Sequence, residues 1–106
     1  MAEKIVVAMP LPGPSRAEFQ ARVRSRVQED RIIFDELHFV ERMSDHGITT
    51  RQAYDVLSFG AVIEDPRLDE YGEWRALMKR KVAGVRIKVV VALGAEWLTV
   101  VTAFPA

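Results

Sequence analysis

His38 and Arg42 stand four residues apart, the spacing at which two side chains share one face of a helix. Imidazole moves protons near neutral pH, and guanidinium can hold the non-bridging oxygens of a phosphate, so the pair suits phosphoryl chemistry. The plain alternative is structural, a capping or core-edge histidine with Arg42 bound to Glu41 or Asp45. The second histidine, His46, precedes a glycine that should end the same helix, where it would serve the helix dipole.

A second concentration of chemistry lies downstream. From Trp74 to Ala95 there are six basic residues (Arg75, Lys79, Arg80, Lys81, Arg86, Lys88) and no acidic one. From Gln28 to Glu73 acids outnumber bases twelve to four. The zero net charge thus conceals an acidic middle and a basic hairpin, and local fields steer ligands more than the sum does.

If Ala83-Gly84 is a two-residue turn, Lys81 faces Arg86 and Lys79 faces Lys88. Alternation gathers Arg75, Lys79, Lys81, Arg86 and Lys88 on one face, with Leu77, Val90 and Ala92 among them. The other face takes Trp74, Ala76, Met78, Val82, Val85, Ile87, Val89, Val91 and Leu93. That is a core face, and Arg80 is its misfit, a side chain that must reach past the edge to water. Opposed like charges cost a few tenths of a kcal/mol per pair. A phosphate backbone bound there would account for them. The ordinary alternative is a solvated face whose charges are answered by acids of the loop from Pro66 to Glu73. Tyr71 in that loop could stack on a base, whereas Trp74 and Trp97 suit the core equally well.

Other chemistries are not encoded. There is no cysteine, and no Walker loop, G-x-G-x-x-G, H-E-x-x-H or G-x-S-x-G. The two histidines are not spaced as a ligand pair, so neither a metal nor a cofactor is expected. The apolar run near the N-terminus is too short for a signal peptide and follows Glu3, and no stretch approaches the roughly 18 apolar residues of a membrane span. A cytoplasmic chain without a membrane partner is the expectation.

The elements that must position these residues can be read next. At 106 residues the chain fits one domain. Lys4 to Met9 reads as a strand, closed by Pro10, Pro12, Gly13 and Pro14. Ser15 and Glu18 form a capping box ahead of a helix over 16–29, with Phe19, Val23 and Val27 along one side. Arg31 to Phe34 is a short β-like piece. Asp35 can cap a second helix reaching His46, and Thr49 with Gln52 opens a third, to about Ser58. Strands are expected over 61–65, 73–82, 85–93 and 97–104, an antiparallel meander. The class is α+β, two to three helices packed on a twisted, antiparallel, four-stranded sheet.

From Arg31 onward the sequence resembles the bacterial domain of unknown function 4258. The segments that carry the likeness are Phe34 to Met43, His46-Gly-Ile-Thr49, Val56 to Gly60 with Ile63-Glu64, and Leu98 to Ala103. Residues 1–30 are an addition to the shortest pattern of that family. The family looks related to RelE-like and motility-quorum-sensing-regulator toxins, which cut messenger RNA on the face of a small twisted sheet. The resemblance implies a site containing His38, Arg42 and Thr102, a metal-free attack of the 2′-hydroxyl on the adjacent phosphate, and an antitoxin partner of zinc-ribbon or helix-turn-helix type. It does not carry over Lys79, Lys81, Arg86 or Lys88, which rest on spacing. Two other expectations stay open. One is a non-catalytic module binding protein or nucleic acid through the same face. The other is an assembly domain, such as a homodimer, pairing through the uncharged last strand if that strand forms an edge.

Overall fold

The computed structural model describes residues 13–35 and 45–106. The strand expected over 4–9 lies outside them, and so does the second helix, apart from Asp45 and His46, which are helical and exposed.

The first described element, α1 (Arg16–Gln28), starts where the sequence signals it. The Ser15 hydroxyl accepts from the Glu18 amide at 3.1 Å, and the Glu18 carboxylate accepts from the Ser15 amide at 2.8 Å. Hydrogen bonding to the Ser15 amide first, and to the Ser15 side chain second, holds the Glu18 carboxyl below its usual range. The helix ends in a paired-amide cap, Asp30 N–H to Val27 and Arg31 N–H to Arg26, closed by Asp30 at a φ of 56°.

The chain then forms β1 (Ile32–Phe34) and, further on, α2 (Thr50–Phe59), whose N-terminus carries the Thr49–Gln52 capping box. After Gly60 come β2 (Ala61–Val62), β3 (Arg67–Leu68), β4 (Trp74–Val82), β5 (Val85–Leu93) and β6 (Leu98–Pro105). Gly60 is required by packing. A Cβ there would lie 2.5 Å from the Val56 carbonyl oxygen and 3.0 Å from that of Lys79.

The class is α+β, as the pattern implies, but the sheet is larger than four strands and is mixed. Its order is β1-β6-β5-β4-β2, with β3 also on β4. The β-like piece at 32–34 becomes a strand parallel to β6, pairing Ile32 with Leu98 and Phe34 with Val100. Part of the acidic loop becomes β3, which pairs Arg67 with Arg75. From Leu98 to Val100 the last strand is therefore not a sheet edge, the position the assembly reading required. β1 covers its outer side from Leu98 to Val100, so the strand already has a partner there.

Helices α1 and α2 lie on one face. Phe19 and Val23 of α1 and Ala53, Val56 and Leu57 of α2 pack with Met78, Ile87, Val89, Val91, Leu98 and Val100, all fully buried. Burying side chains of this size contributes about 1.5–3 kcal/mol each. Polar ties complete the packing. The Arg24 guanidinium donates to the carbonyls of Ser58 and Gly60 at the end of α2, and the Val62 amide donates to Gln20 at 3.0 Å. Among the described residues no helix is long and apolar enough to cross a membrane.

Candidate nucleic-acid interface

With the helices on one side, the other side of the sheet presents the basic hairpin. Ala83 and Gly84 both take positive φ, 50° and 83°, the two-residue turn whose twist matches the flanking strands. The register follows from that turn. Val82 pairs with Val85, Lys81 with Arg86, Arg80 with Ile87, and Lys79 with Lys88. Two rungs of directly opposed cations thus occupy the face opposite α1 and α2. Among the described residues, none of Lys79, Lys81, Arg86 and Lys88 forms a salt bridge.

The two flanking residues of the sequence set behave differently. Arg75 is on the same face but is engaged. Its Nε donates to Asp69 at 3.2 Å, and Asp69 also accepts from the amides of Tyr71 and Glu73, both at 2.9 Å. Burial pushes the Asp69 carboxyl up, yet those amides and Arg75 outweigh it and hold it below its usual range. Arg75 thus anchors the loop that carries Tyr71, and Tyr71 is 75% exposed, free to stack on a ligand. The core-face misfit, Arg80, stays half-buried with its guanidinium 4.7 Å from the centre of the exposed Phe59 ring.

Thr102 reaches the face opposite α1 and α2 through an irregularity that no periodic pattern foretells. β5 and β6 lose register between Val90 and Val91, so that Val91 pairs with Val100 but Val90 pairs with Thr102. Val101 is the extra residue. Strict alternation from Leu98 would send Thr102 and Phe104 into the helical core. The bulge instead gives the core Ala103 and turns Thr102 and Phe104 outward, where Phe104 faces Lys88. The Thr102 hydroxyl is buried without a hydrogen-bond partner among the described residues.

Thr102 and Phe104 border an open cavity of about 510 Å³, and the other described residues lining it are His46 and Pro105. His46 is the group the sequence reading left out of the site. Its place at a helix end pointed to the dipole, and only the fold brings it beside Thr102. His38 and Arg42, the pair that spacing singled out, lie outside the described residues. A second crevice, of about 180 Å³, runs along Leu77, Val90 and Phe104 beneath Glu64, Asp65 and Arg67. No cluster of three histidine, aspartate or glutamate side chains able to hold a metal ion occurs among the described residues.

No curated protein and no solved structure matches the chain. The sequence profile of a family described only as a domain of unknown function, DUF4258, matches residues 36–105. That span takes in the hairpin, the bulged strand and both histidines, and the chain belongs to the DUF4258 family.

Proposed function

We propose that the chain is a metal-independent endoribonuclease that acts in the cytoplasm as the toxin of a toxin–antitoxin pair. One observation carries the reading. Lys79, Lys81, Arg86 and Lys88 form two rungs of cations, without a salt bridge among the described residues, on a sheet face that Thr102 shares. Holding like charges opposed costs stability, and an RNA backbone laid across that face offsets the cost.

In the reaction, the 2′-oxygen attacks the adjacent phosphorus and the bond to the 5′-oxygen breaks, giving a 2′,3′-cyclic phosphate and a 5′-hydroxyl. A base takes the 2′-hydroxyl proton and an acid returns one to the departing 5′-oxygen. His38 is the base by the resemblance of its segment, with Arg42 beside it on the phosphate. His46, at the cavity lined by Thr102, is the imidazole available as the acid. Lys88 and Lys79 stabilise the charge that grows on the non-bridging oxygens, and Lys81 and Arg86 track the backbone. The partner would be a small zinc-ribbon or helix-turn-helix protein whose acidic surface covers the cation rungs.

Expression in a bacterial host should arrest growth, and His38→Ala should relieve the arrest. Purified chain should cleave single-stranded RNA in the presence of a chelator, leaving cyclic phosphate ends. RNA that is bound but stays intact would reduce the reading to a binding module. If wild-type chain neither arrests growth nor cuts RNA, the nuclease reading is lost.

A further inference from the structure

The geometry points to a guanine-selective base pocket in the crevice beneath the 64–67 segment, an assignment that rests on the RNA reading above. Its floor is apolar, made by Leu77, Val90 and Phe104. Its volume, about 180 Å³, lies below the roughly 300 Å³ at which pockets for drug-sized ligands begin, so it suits one ring system. Phe104 pairs across the strands with Lys88, and Lys88 with Lys79. Leu77 and Val90 pair one rung further on, so a base over them lies about 7 Å along the strand from cations that would take its phosphate, with the Phe104 ring on the cations' own rung.

The rim decides which base. Two of its charged groups are already committed, Asp65 to Arg16 at 2.8 Å and Arg75 to Asp69 at 3.2 Å. Glu64 and Arg67 have no such partner among the described residues. A carboxylate asks for a pair of donors and a guanidinium for a pair of acceptors. Guanine meets both, with its ring and exocyclic N–H groups on one edge and O6 with N7 on another. Adenine sets a donor beside N7, and the pyrimidines have no N7 edge.

The test uses isotope-labelled full-length chain titrated with GMP, AMP, CMP and UMP, and in parallel with a mixed-sequence single-stranded RNA. GMP should bind tightest and shift the methyl resonances of Leu77 and Val90. Glu64→Ala and, separately, Arg67→Met should each lower the GMP-to-AMP affinity ratio about tenfold, the worth of one bidentate pair. Both residues are exposed, so neither change threatens folding. Four nucleotides binding equally, or GMP binding without moving Leu77 and Val90, overturns the pocket while RNA binding stands. Failure of the mixed RNA to bind at all overturns the RNA reading, and the pocket with it.

Discussion

At the scale of single residues, the site keeps groups in states that cost stability. The Thr102 hydroxyl is buried without a partner among the described residues, and an unpaired buried hydroxyl costs about 1–3 kcal/mol. Thr102→Val keeps the shape and removes the group. We expect it to raise unfolding stability in urea by about 1 kcal/mol and to lower RNA cleavage, a trade that marks the hydroxyl as kept for a ligand. A threonine that was merely structural would show no loss of cleavage. Asp69 works the other way. Its depressed pKa means that its contribution is present above the unfolded value, near 3.9, and is lost as pH falls through the folded one. Asp69→Asn should therefore cost about 1–2 kcal/mol at pH 7, and the gap to wild type should close below about pH 4. Denaturation curves at both pH values check it. A gap that persisted in acid would assign the loss to packing and not to the carboxylate.

Among the elements, the hairpin was the most legible, because Ala83-Gly84 fixes every rung from Trp74 opposite Leu93 to Val82 opposite Val85. Both capping boxes were equally plain, since each uses only residues three apart. What stayed hidden is long-range or aperiodic. β1 is three residues whose hydrogen-bond partners lie on β6, more than sixty positions away, so nothing local marks them as parallel. The run Val100-Val101-Thr102 reads as unbroken strand, yet one residue in it is unpaired and reverses the faces of all that follows. His46 came to line the same cavity as Thr102 for the same reason, a juxtaposition of elements that no spacing encodes. The turn also carries a flaw. Ala83 has a φ of 50°, where a Cβ meets the following carbonyl and costs about 1–2 kcal/mol. Asparagine tolerates that conformation, and Asn-Gly is the preferred pair for such a turn. Ala83→Asn should stabilise the chain by about 0.5–1 kcal/mol and raise the melting temperature by a few degrees. A lower melting temperature would mean that the hairpin twist is set elsewhere.

Across the whole molecule, charge is sorted and not merely balanced. The chain is neutral overall, with a sequence pI near 6.7, so non-specific attraction at long range is weak. Attraction must then come from the cation-bearing face at close quarters, and its strength should reveal how many phosphates are engaged. Each phosphate neutralised on a single strand contributes a slope of about −0.7 to log affinity against log salt. Four free cations, Lys79, Lys81, Arg86 and Lys88, therefore set the slope for RNA near −3. Replacing Lys79 and Lys88 with glutamine removes one full rung, so the slope should fall to about half of that. The same change relieves an opposed pair, so the double variant should be as stable as wild type or slightly more so. Weaker binding at every salt concentration with an unchanged slope would mean that these lysines shape the face without touching phosphate. A halved slope with stability retained would fix the cation-bearing face as the surface on which RNA lies.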